Sequence, residues 1–316
     1  MPARETPFSI GRQEQRAGAF IRQASRFRDW VTPDGASGYA PEPGRYHLYV
    51  ARACPWAHRT ILARALMGLE QAVTISYVDP IRDQQGWAFS QAGVYEDPVN
   101  GFRFLAEAYL ASDREFSDRV TVPVLWDRQR ARIVNNESAE ILRMLATVFA
   151  PLAGHPVSLY PTELAEQIDV LNERIYEQLN NGVYRAGFST DQLVYEQAVG
   201  DVFAMLEELD ERLADRRFLF GPEPVESDWR LFTTLIRFDP VYHVHFKCSL
   251  RKLSEYRNLW PYLRDLYQWP GVRETVSFDE IRAHYYRTHG AINPTGLVAV
   301  MPAESLEEAP GRERLG

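Results

Sequence analysis

The sequence predicts two domains, an α/β layer domain followed by an all-helical domain. A chain of 316 residues is long enough for about two buried cores. The apolar pattern alternates between strand and helix at first, and from residue 151 onward it has helical spacing throughout. We therefore expect an N-terminal extension (1–43), an α/β domain (44–150), a helical domain (151–300) and a tail (301–316).

The α/β domain opens with a strand–helix–strand unit. Aromatic and β-branched residues predict strands over 45–50 and 73–78, and apolar residues at helical spacing predict a helix over 57–69 between them. Such a unit predicts a parallel strand pair with a right-handed crossover.

The rest of this domain begins with a connection that is longer than a helix between two strands needs. It covers residues 79–120 and includes a short predicted helix near 104–110. Two further strands, over 120–126 and 132–134, predict a hairpin, and an amphipathic helix is expected over 137–145. The order βαβ and then ββα indicates a small α/β layer fold.

The helical domain and the two chain ends are read from spacing and composition. Apolar residues at helical spacing predict helices over 164–179, 193–213, 229–238 and 256–268. The extension is polar and rich in Gly and Pro, so we expect it to lie over the folded body. The tail carries prolines and many charges, and we expect it to be poorly packed.

Composition excludes several classes of function. The net charge of −8 and the lack of a basic tract disfavour nucleic-acid binding. No stretch approaches the roughly 18 apolar residues that span a membrane, and residues 1–28 do not resemble a secretory signal. Cys54 and Cys248 are too few for a disulfide framework, and no zinc-type Cys/His spacing is present. We expect reduced thiols, no metal and a cytoplasmic location.

Cys54 stands at the first strand–helix turn. Pro55 follows at the first helical position, where the missing N–H of proline costs nothing. A thiol at that place faces unpaired backbone N–H groups and the positive end of the helix dipole, which favour the reactive thiolate. A cysteine is more often a small buried apolar residue, and we interpret Cys248 in that way. The placement of Cys54 predicts a nucleophile, to which His58 and Arg59 would add positive potential.

The residue three positions after Cys54 is Ala57, where a dithiol redox site would carry a second cysteine. Cys54 therefore cannot close a local disulfide. Its expected cycle is a mixed disulfide with a small external thiol, resolved by a second molecule of that thiol. Glutathione is the abundant cellular candidate.

Three further features suit a glutathione site, each with an alternative that stays open. Pro123 is either a cis proline, which leaves the backbone of Val122 free to pair with an extended peptide, or a plain proline at a strand start. Glu137 and Ser138 either hold the γ-glutamyl carboxylate at a helix N-terminus or only cap the helix. Trp87 either stacks on a ligand or belongs to the core.

Longer strings of the sequence resemble the glutathionyl-hydroquinone reductases, the Xi class of glutathione transferases. The resemblance runs from about residue 30 to 300 and covers both predicted domains. It rests on RYHLYV (45–50), CPWAHRT (54–60), VTVPVLWD (120–127), NESAEI (136–141), NNGVYRAGF (180–188), RFDPVY (237–242), HFKC (245–248), HYYR (284–287) and INPTG (292–296).

The resemblance implies a thioredoxin-like N-terminal domain, an all-helical glutathione-transferase C-terminal domain and a homodimer. It implies an enzyme that removes glutathione reductively from aromatic glutathionyl-hydroquinones, with glutathione as co-substrate. Cys54 matches the nucleophile, Tyr184 the proton donor, and Tyr242 and Tyr285 the tyrosines that favour the thiolate. The positions that match glutathione contacts are Trp87, Arg119, Val120, Thr121, Val122, Glu137 and Ser138. Without the resemblance, the three tyrosines would be interpreted as core residues.

Two departures from the family pattern and two alternative functions remain. Asp228 is present near the start of a buried helix, but Val225 stands where transferases commonly have a Ser or Thr cap. The stretch 88–103 resembles the family less, which leaves the identity of the substrate open. The alternatives are a general thiol transferase or dehydroascorbate reductase, and a binding protein without chemistry.

Overall fold

The computed structural model describes residues 15–83, 85–155 and 157–315. They form two compact units. Of these described residues, the first unit contains 22–83, 85–155, 157 and 277–284, and the second contains 15–21, 158–276 and 285–315. The domain limits expected from the sequence stay predictions, but most of the described N-terminal segment belongs to the α/β unit.

The first unit is built on a mixed sheet. A short hairpin of β1 (Gln15–Arg16) and β2 (Ala19–Phe20) precedes it in the chain and belongs to the second unit. The strands of the sheet are β3 (Tyr46–Val50), β4 (Val73–Tyr77), β5 (Val124–Asp127) and β6 (Arg132–Asn135). Their order is β4-β3-β5-β6, with β3 parallel to β4 and the other neighbours antiparallel. The predicted parallel pair and hairpin are confirmed.

The helices of this unit are α1 (Pro55–Leu66), α2 (Ala106–Ser112) and α3 (Ser138–Thr147). Every residue of β3 is buried, which explains its apolar and aromatic composition. The strand β3 leads into the turn with Cys54, and the buried face of α1 packs against α3. The N-terminal ends of α1 and α3, which carry predicted glutathione residues, therefore belong to the same unit.

The strand expected over 120–126 begins only at Val124. The preceding residues bond to a side chain instead of a neighbouring strand. The hydroxyl of Tyr109 donates to the carbonyl oxygen of Thr121 at 2.8 Å and accepts from the N–H of Thr121 at 3.2 Å. A buried tyrosine therefore holds this segment, which the alternation of residues could not show.

The long connection after β4 is a folded loop around one buried carboxylate. Asp97 is 3% exposed and accepts hydrogen bonds from the N–H groups of Val99 and Phe102 and from the hydroxyl of Tyr49. The main chain of Leu105 donates to the carbonyl of Trp87 at 2.9 Å. The stretch 88–103 thus has internal order, and Trp87 is held at its base.

The described N-terminal segment extends the sheet beside β6. Asp29 donates its N–H to the carbonyl of Val134 at 3.1 Å, and Asn136 donates its N–H to the carbonyl of Phe27 at 3.0 Å. The side-chain oxygen of Asn136 accepts the N–H of Phe27 at 3.0 Å. These bonds fix the segment 22–29 on the α/β unit.

The second unit is helical after its N-terminal hairpin. The helices are α4 (Ala165–Ile175), α5 (Gly182–Gly187), α6 (Gln192–Arg212), α7 (Glu226–Leu235), α8 (Leu259–Tyr267) and α9 (Phe278–Thr288), of which residues 278–284 belong to the first unit. The helix predicted over 164–179 ends in a π-helical turn, Tyr176–Asn180, and a second such turn covers Phe238–Tyr242. The sequence did not predict α5, which has six residues, or α9, which has eleven. Across the described ranges, no helix is long and apolar enough to cross a membrane.

The start of α7 keeps half of its capping arrangement although Val225 has no polar side chain. Asp228 is fully buried and accepts from the N–H groups of Val225 and Leu219, both at 2.9 Å, and from the hydroxyl of Tyr262 at 2.7 Å. Burial raises the pKa of Asp228 to about 6, while the three donors act in the opposite direction. The aspartate thus stabilises the helix start without the missing Ser or Thr.

Most side chains of the tail, residues 301–315, are exposed or half-buried, as expected of a poorly packed tail, but hydrogen bonds attach it to the helices of the second unit. Arg312 is 3% exposed, and its guanidinium donates to the carbonyl oxygens of Leu213 at 2.8 Å and Asn258 at 3.4 Å. The side chain of Gln268 donates to the carbonyl of Leu306 at 2.7 Å. The carbonyl of Leu213 stands at the C-terminal end of α6, where a helix offers no further N–H donor, and Arg312 supplies one.

Replacing Arg312 by alanine is expected to lower the melting temperature by about 4 °C or more, because buried carbonyls lose their donor at a cost of about 2 kcal/mol. Thermal unfolding followed by circular dichroism measures the change. Arg314→Ala is the matched control, since Arg314 is an exposed arginine of the same tail. Equal melting temperatures for the two variants would contradict the role of Arg312.

Candidate active site

Cys54 lies where the sequence predicted, between β3 and α1. It is the residue before the first helical turn, with an extended backbone (φ −80°, ψ 123°) and Pro55 at the first helical position. Its thiol is partly exposed, and Sγ lies 3.8 Å from the carbonyl oxygen of Val122. The other free thiol, Cys248, is fully buried, and burial raises its pKa to about 12. Cys54 is therefore the reachable thiol of the two.

The second turn of α1 carries a buried cation. Arg59 is 1% exposed, its guanidinium lies 4.5 Å from the ring centroid of Trp56, and it donates to the hydroxyl of Ser138 at 3.4 Å. His58 is fully buried beside it. Arg59 thus links the helix after Cys54 to the first turn of α3.

The bond between Val122 and Pro123 is cis, as one of the two interpretations of the sequence expected. The carbonyl of Val122 faces Sγ of Cys54. Among the residues that the structure describes, no group accepts a hydrogen bond from the N–H of Val122. An extended peptide can therefore bond to this N–H directly beside the thiol.

The residues before Val122 take part in structural bonds. Val120 is buried, and the main chain of Thr121 is bonded to Tyr109. The N–H of Arg119 donates to the side-chain oxygen of Gln23 at 3.3 Å. The contribution of these three residues to ligand binding stays a prediction.

Glu137 precedes the first turn of α3 and caps it. Its Oε1 accepts from the N–H of Ala139 at 3.3 Å, and its Oε2 accepts from the hydroxyl of Ser25 at 2.9 Å. Ser138 is buried at the first helical position. The capping interpretation is thus confirmed for Glu137, while a role of Glu137 and Ser138 in ligand binding stays a prediction.

Trp87 is buried against a residue that the sequence interpretation missed. The ring of Trp87, which is 4% exposed, stacks on the ring of His284 with centroids 5.0 Å apart and planes 16° apart. His284 is fixed in turn by a 2.7 Å hydrogen bond between Nδ1 and the carbonyl of Pro80. The string HYYR contained this histidine, but without the fold nothing distinguished it from its neighbours.

The three predicted tyrosines come together in the second unit. Tyr184 is on α5, Tyr242 ends the second π-helical turn and Tyr285 is on α9. The hydroxyl of Tyr285 lies 2.5 Å from that of Tyr184 and 3.0 Å from that of Tyr242. Burial, and next the neighbouring Tyr184, raise the pKa values of Tyr242 and Tyr285 well above the usual range. Both hydroxyls therefore remain protonated at neutral pH.

Phe246 packs against all three tyrosine rings. Its centroid lies 5.3 Å from that of Tyr184, 5.4 Å from Tyr242 and 5.6 Å from Tyr285. Gly187 makes this packing possible, because a Cβ at that position would lie 2.2 Å from the Phe246 ring. The hydroxyl cluster is thus supported by a close-packed aromatic wall.

Within the described ranges, no group of three or more His, Cys, Asp or Glu side chains is arranged to hold a metal ion.

Comparison with known proteins identifies the family. The "Glutathione S-transferase, N-terminal domain" family matches residues 53–148, and the "Glutathione S-transferase, C-terminal domain" family matches residues 192–265. Glutathionyl-hydroquinone reductase YqjG of Escherichia coli is 49% identical, covering 94% of this chain and 93% of the relative. Glutathionyl-hydroquinone reductase PcpF of Sphingobium chlorophenolicum is 44% identical, covering 92% and 91%. The chain belongs to the glutathionyl-hydroquinone reductases, the Xi class of glutathione transferases.

Solved structures of Xi-class transferases agree with this assignment. The Xi-class transferase of Natrialba magadii is 49% identical with a TM-score of 0.90, covering 93% of this chain and 90% of that one. The glutathione-bound structure of E. coli YqjG is 48% identical with a TM-score of 0.89, covering 92% and 96%. The predicted fold, a thioredoxin-like domain and a helical glutathione-transferase domain, is confirmed.

Proposed function

We propose that this enzyme reduces aromatic glutathionyl-hydroquinones to hydroquinones and oxidised glutathione, through a mixed disulfide between Cys54 and glutathione. The observation that carries the proposal is the partly exposed Cys54 thiol at the start of α1, with alanine at position 57 and the Val122 backbone beside it. The relatives at 49% and 44% identity, named glutathionyl-hydroquinone reductases, support the choice of substrate class.

In the first step, the Cys54 thiolate attacks the sulfur of the adduct. A sulfur–sulfur bond forms, the bond between sulfur and the ring carbon breaks, and its electron pair stays with the ring. The ring carbon takes a proton, which we assign to the hydroxyl of Tyr184, because carbon leaves far more easily when it is protonated as it departs. The products are the hydroquinone and the Cys54–glutathione disulfide.

In the second step, a glutathione thiolate attacks the mixed disulfide. Oxidised glutathione leaves and the Cys54 thiolate is restored. The chain offers no second thiol that could resolve the mixed disulfide, because position 57 is alanine and Cys248 is buried. Glutathione is therefore a consumed co-substrate in this proposal.

Glutathione is assigned to the residues around Cys54. The free N–H of Val122 suits the cysteinyl backbone, and the first turn of α3 with Ser138 suits the γ-glutamyl carboxylate. The carboxylate of Glu137 suits the α-ammonium group. Trp87 and residues 119–121 are assigned to the same ligand by resemblance.

We assign Tyr242 and Tyr285 to the stabilisation of the Cys54 thiolate. Both are buried and keep their protons at neutral pH, so each can donate a hydrogen bond. The chain of hydroxyls through Tyr285 also gives Tyr184 a neighbour from which to recover its proton.

A second candidate is a general thiol transferase or dehydroascorbate reductase, because a single reachable thiol suffices for either activity. Turnover of a glutathionyl-hydroquinone, an alkyl–glutathione disulfide and dehydroascorbate by the purified full chain separates the two. We expect the highest kcat/KM for the glutathionyl-hydroquinone. A higher value for the disulfide would favour the transferase, and no turnover of any of them would favour a binding protein.

We further propose a cytoplasmic homodimer. The two free thiols support a cytoplasmic location, where thiols stay reduced. The resemblance to the Xi class supports the homodimer. Light scattering of the purified chain is expected to give about twice the mass of 36.4 kDa. A mass of one chain would refute the dimer.

A further inference from the structure

An N-terminal strap, residues 22–29, runs along the proposed glutathione site in the first unit. The guanidinium of Arg22 lies 4.6 Å from the ring centroid of Trp56. Gln23 and Ser25 bond to Arg119 and Glu137, which are two of the residues assigned to glutathione. The strap thus contacts the site at several separate positions.

The strap is held firmly where it passes this site. Its main chain is bonded to the edge strand β6 through Phe27 and Asp29. The Phe27 ring is 9% exposed and packs beside Tyr109 and Phe116, with centroids 5.7 Å and 5.9 Å away. Ser25 therefore reaches Glu137 from a fixed backbone.

The hydroxyl of Ser25 has two acceptors within reach, the Glu137 carboxylate at 2.9 Å and the Asn136 carbonyl at 3.3 Å. The bond to the charged carboxylate is the shorter and stronger one. Because Ala139 N–H donates to the other oxygen of Glu137, both carboxylate oxygens have a donor. The carboxylate is thus fixed before any ligand arrives.

We propose that Ser25 is a positioning residue for glutathione, whose hydroxyl holds the Glu137 carboxylate in the orientation that binds the α-ammonium of the γ-glutamyl group. This rests on the glutathione site of the proposed function. A fixed carboxylate loses less side-chain entropy on binding than a mobile one. The strap is then part of the γ-glutamyl subsite, and the site selects thiols that carry the α-amino group.

Calorimetric binding to full-length protein with Cys54→Ser tests this without turnover. Two probes are compared: glutathione, and glutaryl-cysteinyl-glycine, which lacks only the α-amino group. Ser25→Ala is expected to raise the Kd of glutathione about tenfold, the effect of one hydrogen bond to a charged group. The Kd of the analogue should not change, because the analogue has no ammonium for the carboxylate to bind.

Two controls and a double variant complete the test. Ser25→Thr keeps the hydroxyl and should restore glutathione binding. Ser37→Ala should leave it unchanged, because the hydroxyl of Ser37 bonds to Thr32 and Tyr39, away from the proposed site. In a Glu137→Gln background, Ser25→Ala should cause no further loss.

Unchanged glutathione binding in Ser25→Ala would overturn the proposal. So would an equal loss for both probes, since that would mean that the hydroxyl only maintains the fold. Failure of the proposed function would give a different result. The protein would then turn over no glutathionyl-hydroquinone, while Ser25→Ala would still weaken glutathione binding.

Discussion

Replacing Cys54 by serine is expected to lower kcat/KM for a glutathionyl-hydroquinone by about 1,000-fold or more. A serine hydroxyl does not ionise near neutral pH and cannot form the mixed disulfide on which the proposed cycle depends. Cys248 cannot replace it, because it is fully buried with its pKa raised to about 12. The measurement is steady-state turnover of the adduct by the purified protein.

Mass spectrometry gives a second readout of the same prediction. Wild-type protein mixed with the adduct and no free glutathione should carry one glutathione on the peptide that contains Cys54. Cys248→Ser is the matched control and should retain both the activity and the modification. Comparable activity in Cys54→Ser and wild type would refute the thiol mechanism.

Replacing Tyr184 by phenylalanine is expected to lower kcat for the glutathionyl-hydroquinone by about 100-fold, the typical size of a general-acid contribution. The aromatic ring and its contact with Phe246 at 5.3 Å remain, so the packing is kept and only the hydroxyl is lost. The reduction of a simple alkyl–glutathione disulfide should change little, because no carbon is protonated in that reaction.

The comparison of the two substrates decides whether Tyr184 acts as the proton donor. Tyr195→Phe is the matched control, since Tyr195 is another tyrosine of the second unit whose hydroxyl donates to the carbonyl of Lys247 at 2.6 Å. It should leave both activities unchanged. An equal loss of both activities in Tyr184→Phe would instead mean that the hydroxyl affects the thiol or the fold.

The order of strands and helices in the α/β unit follows from local patterns, which is why most of it was predicted. The strand β3 is buried on both faces, as its apolar composition predicts, and α1 begins at the proline after Cys54, as expected. The prediction failed where a side chain from elsewhere decides the backbone. Tyr109 holds Thr121 outside the sheet, and no local pattern distinguished Arg312 as the residue that attaches the tail.

The sequence by itself predicts the nucleophile, since the turn that contains Cys54 and the alanine at position 57 are local features. The long strings that resemble the family also predict the other site residues.

Only the tertiary structure decided how those residues are supported. Tyr184 and Tyr285 are 101 residues apart in the chain, and Ser25 and Glu137 are 112 residues apart, yet each pair shares a hydrogen bond. Such bonds depend on where the folded backbone places each side chain, and no local periodicity encodes that.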